Sequence, residues 1–339
     1  MRLGLFRIVV FTLALSDVIA YSRTALADAA AVSAGTQTKA WNAIYAFEVI
    51  GLQPIGIDTA RALCVATVLV TLLALVGFAT RVTSPAAAGL SIYWTGLVYS
   101  FGKVHHDKVA LAFTLVALAL SPCGARLSID ALLRRFRGRR LPTTSPLAGM
   151  PMRVAQVTIA IGYCASGLTK LRYGGFQWMN GYTLMYYLMQ YDTEGARFLS
   201  QRVEFCQALS ILTIVVQTSF PAVFFWPKAL WFYLPSAVAF HLATWWAMDT
   251  GPYISLWLLL VAFLPLERIP AWVARPWREG RLGRAAWRSA LCLLPAALAV
   301  RILWYQLPTW SLAIALPALA VITRNLAATQ RASERSHSG

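Results

Sequence analysis

Residues 61–80, RALCVATVLVTLLALVGFAT, decide the fold class. After Arg61 the run carries no charged side chain. At a helical rise of about 1.5 Å per residue it is long enough to cross a hydrocarbon core of about 30 Å. Comparable apolar runs recur from end to end. Candidate spans fall at about 4–21, 61–80, 86–101, 108–121, 152–171, 206–226, 229–247, 252–266, 286–304 and 308–323. Of the 339 residues, 58% are apolar and 13% charged, where soluble domains carry about 25% charged residues. The runs lack the polar–apolar alternation of barrel strands. The expectation is an all-α fold: a polytopic helical integral membrane protein of about eight to ten transmembrane helices. Residues 1–325 would form one membrane domain, and 326–339 a disordered cytoplasmic tail.

A net charge of +17 is open to two readings, nucleic-acid binding or the positive-inside bias of a membrane protein. Alternating the ten spans from a cytoplasmic N-terminus tests the second. The inside then receives 20 of the 30 basic residues and four of the 13 acids. Its basic loops lie at 122–153 (Arg126, Arg134, Arg135, Arg137, Arg139, Arg140, Arg153) and 267–288. This asymmetry favours an N-in, C-in protein of the plasma (inner) membrane, with lipid as partner and no role for nucleic acid. Arg-rich loops beside spans read as lying on anionic lipid. Arg2 and Arg7 before the first run, with Ala25-Leu26-Ala27 after it, would also suit a signal peptide. Asp17 within the run favours an uncleaved first span. The five cysteines, Cys64, Cys123, Cys164, Cys206 and Cys292, show no metal-ligand spacing.

Polar residues of interest gather on the outer side of this topology. His105, His106, Asp107 and Lys108 form the turn between the third and fourth spans. In residues 163–184, YCASGLTKLRYGGFQWMNGYTL, an apolar helix runs into Lys170 and Arg172 and breaks at Gly174-Gly175. Trp178, Asn180 and Gly181 follow. His241 lies about two turns inside the seventh span, beside Phe240, Trp245 and Trp246, and Asp249 is just past its end. Ionisable groups in spans are costly and often mark a pathway or site. Two readings of Lys170 stay open: a side chain snorkelling to headgroups, or a site. For His241 they are a structural hydrogen bond or a functional group. Asp17, Gln156, Gln217 and Thr218 read as interhelical polar contacts. An apolar site strips an ammonium of its solvation and favours the neutral amine. Such an amine can accept a proton from a phenol-like acid. Neutral histidines can stabilise the resulting anion. No GxSxG, Walker loop, HExxH or strand-associated GxGxxG is present.

Gly167-Leu168-Thr169-Lys170-Leu171, followed by Trp178 and Asn180-Gly181-Tyr182, resembles the HTTM domain, the membrane region of vitamin K-dependent γ-carboxylases. Leu5-Phe6-Arg7-Ile8, His105-His106-Asp107, LALSPCGARLSID at 118–130 and Phe240-His241 fit the same family. The resemblance covers about residues 3–270. It implies a lumenal-side lysine that deprotonates a vitamin K-like quinol, with O2 and CO2 as possible co-substrates. By this resemblance Lys170 matches the base, and His106 and His241 the assisting histidines. His105, Asp107, Trp178, Asn180 and Asp249 are candidate cofactor-binding residues around them. The animal enzymes carry paired lysines where this chain has Thr169-Lys170, and a large lumenal C-terminal domain that grips a propeptide; recognition of a propeptide is therefore not part of the expectation. Bacterial members of the family include membrane proteins needed to mature peptide toxins. The expected activity is therefore a quinol- and oxygen-dependent modification of an exported peptide. The alternative is a non-catalytic accessory that binds lipid or quinone and works with a peptide or a small membrane partner.

Overall fold

The computed structural model describes residues 2–36, 41–102, 108–139, 145–250 and 254–264. Among them the fold is all-α, with no strand. The helices are α1 (Arg2–Ala34), α2 (Tyr45–Val49), α3 (Ile57–Val76), α4 (Thr80–Ser100), α5 (Val109–Ala119), α6 (Ile129–Phe136), α7 (Met150–Gly174), α8 (Tyr182–Leu188), α9 (Glu194–Leu199), α10 (Val203–Ser219), α11 (Ala222–Phe225), α12 (Leu230–Met248) and α13 (Ile254–Phe263). Each of the first eight expected apolar runs overlaps a helix; 206–226 is divided between α10 and α11, and 252–266 is described only over 254–264. The last two, the 267–288 loop and the tail lie outside the described residues. Arg2–Ala34 and Ile57–Val76 are long and apolar enough to cross a membrane, and Val109–Ala119 and Val203–Ser219 are apolar but shorter.

Two compact units emerge. One draws its described residues from Met1–Val104 and Pro122–Thr144. Here α1, α3 and α4 pack on one another. The first helix extends well past the expected 4–21, to Ala34. Trp94 and Leu97 of α4, with Phe101 just past its end, meet Val18 and Ala25 of α1, and Phe47 of α2 closes over them. Trp41 stands edge-on to Phe101 at 4.9 Å. Residues 41–49 therefore dock onto this unit, while Tyr45 faces outward. Asp17 accepts a long hydrogen bond from Thr95 (3.4 Å), the interhelical contact expected of it.

α3 is patterned the reverse of a soluble helix. Its buried face is Ala60, Thr67, Thr71 and Ala74, while Val65, Leu69, Leu72, Leu73 and Val76 point outward. Small residues let the helices approach closely. Thr67 satisfies its own hydroxyl by donating to the Leu63 carbonyl at 2.7 Å.

The ends of α3, α4 and α6 are tied by two charged side chains. Arg7 of α1 is fully buried and donates to the carbonyls of Cys123 (2.9 Å) and Leu127 (2.5 Å), with a longer contact to Leu75 (3.4 Å). Gly77 ends α3 at φ +75, and a Cβ there would lie 2.8 Å from the Arg7 guanidinium and 2.4 Å from Ser128. Asp130 caps α4, accepting from Ala79 N (2.7 Å), Thr80 N (2.8 Å) and Thr80 Oγ1 (2.7 Å). Ser128 caps α6 by accepting from Ala131 N at 2.9 Å.

Partial burial raises the Asp130 carboxyl, but the Thr80 and Ala79 hydrogen bonds and the nearby Arg134 outweigh it and hold it below its ordinary value. A depressed carboxyl contributes stability that is fully present above its unfolded value of about 3.9. That contribution is lost as pH falls through the lower folded value. Asp130→Asn should cost about 1 kcal/mol at neutral pH. The variant should also lose part of the wild-type decline in unfolding midpoint below about pH 4. Parallel pH profiles for the two proteins would remove Asp130 from this role.

The other unit draws on His105–Ser121 and Ser145–Leu264. α7 is its centre and packs against α5, α10 and α13. Gln156 of α7 donates to the Ala262 carbonyl of α13 at 2.8 Å. α9 docks on the end of α12. Thr193 donates to the Ala247 carbonyl (2.7 Å), and Gly195 lies so close to Trp246 that a Cβ would come within 2.6 Å.

Candidate functional site

α7 presents Tyr163, Gly167 and Lys170 at i, i+4 and i+7, a single helical face. Opposite them, α10 offers Gln217 and Thr218, with Phe220 just past its end. Gly167 makes the approach possible. A Cβ there would lie 2.7 Å from Thr218 Cγ2, 2.8 Å from its backbone N and 3.1 Å from Gln217 Cβ. α10 ends at Ser219 rather than running on to 226, because Pro221 cannot continue the ladder. Gln217 is thus in the last turn of α10.

Lys170 is half-buried and faces this turn of α10. Its amine does not snorkel outward. Nζ donates to Gln217 Oε1 at 2.9 Å and to the Ser166 carbonyl at 3.3 Å, and lies 5.4 Å from the Trp178 ring centroid. Gln217 is only 4% exposed. α7 continues past Lys170 to Gly174, where Gly175 (φ +55) begins a 3-10 turn, Gly175–Asn180. That turn brings Trp178 back against Gly174, whose Cβ would meet the indole at 2.9 Å. Arg172 is exposed and lies over Tyr173, 5.5 Å from that ring.

His241 of α12 is 8% exposed, and its Nε2 is 2.8 Å from the Tyr163 hydroxyl. Phe220 stacks on the Tyr163 ring at 4.6 Å and 9°. Tyr233 meets Phe220 edge-on at 5.6 Å and donates to Ser219 Oγ at 2.8 Å. Lys170 and His241 therefore belong to one seam. They do not touch each other: Tyr163, which holds His241, is two turns from Lys170 along α7, about 10 Å.

The remaining expected residues divide. Trp178 joins Lys170. Asn180 is exposed, and its Oδ1 accepts from Tyr182 N at 2.9 Å, so it shapes the entry to α8. Asp249 is an exposed left-handed residue (φ +45) that terminates α12. Aspartate tolerates that conformation better than most residues. His105, His106 and Asp107 lie outside the described residues. Lys108, the last residue of their turn, is buried at the start of α5. Tyr163 and Phe220 were absent from the sequence-based site. The i, i+4, i+7 spacing of Tyr163, Gly167 and Lys170 was the signal that could have found Tyr163.

An amine, a primary amide and a phenol–imidazole pair thus lie along one seam, with the Trp178 ring beside the amine and the Phe220 ring stacked on the phenol. Such a set can accept a proton at Lys170 and hold or pass one between Tyr163 and His241. No family model, no curated protein and no solved structure matches the chain. The HTTM resemblance accordingly rests on the quoted residues alone.

Proposed function

We propose that the chain is a multi-pass inner-membrane protein, N-in and C-in, of the HTTM type, acting on a lipid-soluble quinol at the α7–α10–α12 seam. The observation that carries this reading is the Lys170 amine, turned toward α10, held by Gln217 and lying beside the Trp178 ring. Membrane residence is supported by α3, whose Val65, Leu69, Leu72, Leu73 and Val76 face outward while Thr67 and Thr71 face inward. A soluble helix would reverse that order.

The residues fit a quinol by their chemistry. Lys170 would take a phenolic proton, and the Trp178 ring beside it offers a face to an aromatic nucleus. A quinol, when bound, supplies reducing equivalents for oxygen-dependent chemistry on an exported peptide, with CO2 as a further possible substrate. Gln217 would keep the amine in place, and the Tyr163–His241 pair would stabilise negative charge further along the seam.

A photoreactive naphthoquinone added to the purified protein tests the ligand class. Cross-links should map to 160–180 and 214–245, and excess unlabelled naphthoquinol should suppress them. Labelling confined to other helices would reject the seam as the binding place.

The non-catalytic reading is favoured by a different observation. Tyr173, Phe176, Tyr182, Tyr186 and Met189 all lie exposed after the lysine. This aromatic surface suits a headgroup layer or a small membrane partner. Under that reading Lys170 tolerates replacement, and changes within 172–205 abolish function.

A further inference from the structure

α6 separates apolar and basic residues in a way the membrane domain's own packing does not use. Ile129, Leu132, Leu133 and Phe136 occur at i, i+3, i+4 and i+7, and all four are exposed. Ala131 is the residue of α6 that is buried. Arg134 and Arg135 close the helix, and exposed Arg137 and Arg139 follow within one turn. Eight residues thus carry an outward apolar edge, flanked by four guanidinium groups.

The helix is also firmly seated. Asp130 holds its first turn to the start of α4 through three hydrogen bonds. Arg7 holds the preceding Leu127 carbonyl, and Asp130 N donates to the Gly77 carbonyl at 3.0 Å. The apolar edge therefore cannot roll inward to bury itself. Asp130 is the one acid on α6; it is engaged with Ala79 and Thr80 and lies near Arg134, which leaves Arg135, Arg137 and Arg139 without an acid of α6 beside them to meet an external anion.

We propose that α6 and the residues up to Arg139 form an interfacial binding surface for anionic phospholipid. Phe136, Leu132, Leu133 and Ile129 enter the acyl boundary, and Arg134, Arg135, Arg137 and Arg139 grip headgroup phosphates. Bidentate guanidinium–phosphate pairing suits arginine over lysine, and the whole run from Arg134 to Arg139 contains no lysine. The apolar edge selects lipid over nucleic acid: RNA offers the same phosphates but nothing for four exposed apolar side chains to enter. This proposal shares the membrane reading above but not its quinol chemistry.

The test uses the full-length protein in a non-ionic detergent, titrated with phosphatidylglycerol, phosphatidylcholine, inorganic phosphate or a short RNA, with the unfolding midpoint as readout. Phosphatidylglycerol should raise the midpoint by roughly 3–5 °C, and the other three should leave it nearly unchanged. Replacing Arg134, Arg135, Arg137 and Arg139 by Gln should abolish the rise. A milder pair, Arg137→Gln with Arg139→Gln, lies beyond the helix, spares its folding and should at least halve it. Leu132→Ser with Phe136→Ser should weaken the response to phosphatidylglycerol while leaving all four charges. Equal stabilisation by both lipids, or a rise with RNA or phosphate matching that with phosphatidylglycerol, would overturn the proposal. So would an unchanged response in the milder pair. Lys170→Ala should retain the lipid response in full, so a failure of the quinol reading would not be mistaken for a failure of this one.

Discussion

Lys170→Ala should reduce oxygen-dependent consumption of a naphthoquinol by the reconstituted protein at least about 100-fold, the lower end of what a positioned base contributes. Lys170→Arg should be as inactive as Lys170→Ala. A guanidinium stays protonated at any pH the protein survives and has no lone pair to offer. The geometry sharpens this comparison. The amine lies between Gln217 Oε1, the Ser166 carbonyl and the Trp178 ring.

Removal of the amine also leaves Gln217 Oε1 without its donor in a buried place, at a cost of about 1–3 kcal/mol. Activity must therefore be normalised to folded protein in the membrane, by unfolding midpoint and by yield. Gln217→Leu separates position from chemistry. It keeps the amine and removes the acceptor that directs it. A partial loss of turnover, smaller than that of Lys170→Ala, with a changed pH profile, is the expected result. Full activity in Lys170→Arg would eliminate the base assignment. Full activity in Gln217→Leu would show that the amide does no positioning.

Much of the helical framework was legible in the sequence because it rests on long apolar runs, and these are local. The runs at 61–80, 86–101, 152–171 and 229–247 became α3, α4, α7 and α12 with ends shifted by a few residues. The break at Gly174-Gly175 was legible for the same reason. What escaped were features fixed by partners distant in sequence. The first helix outran its expected end because residues 22–34 are helix-compatible and their burial against 41–52 is a tertiary matter. The sixth run ended early at Pro221, a local stop that continuing hydrophobicity masked. Gln217 read as a generic polar contact, since nothing in its own neighbourhood names Lys170, 47 residues earlier. Arg7 read as one more inside charge. Only the chain's return at 123–127 shows what it holds. That return joins two of the stretches that carried the family resemblance, Leu5–Ile8 and the 118–130 segment, in one knot.

That knot predicts the largest loss of stability. Arg7→Met should lower the unfolding free energy by about 3–5 kcal/mol, since two good hydrogen bonds from a charged group contribute about 1.5–3 kcal/mol each. Methionine fills much of the same volume, so the loss would report hydrogen bonding more than cavity formation. The carbonyls of Cys123 and Leu127 would be stranded, and Leu127 has the further difficulty of a left-handed backbone (φ +53). Arg7→Lys should recover only part of the loss, because one ammonium cannot reproduce the planar fork that spans carbonyls on two sides. A fall of less than about 1 kcal/mol in Arg7→Met would place Arg7 among ordinary surface-type charges and would require a different anchor for the 122–130 segment. The same variant bears on α6. If Arg7 seats the Leu127 carbonyl, limited proteolysis should cut Arg7→Met first within 126–139, ahead of α1 or α4. Cutting that begins elsewhere would separate the stability of the knot from the seating of α6.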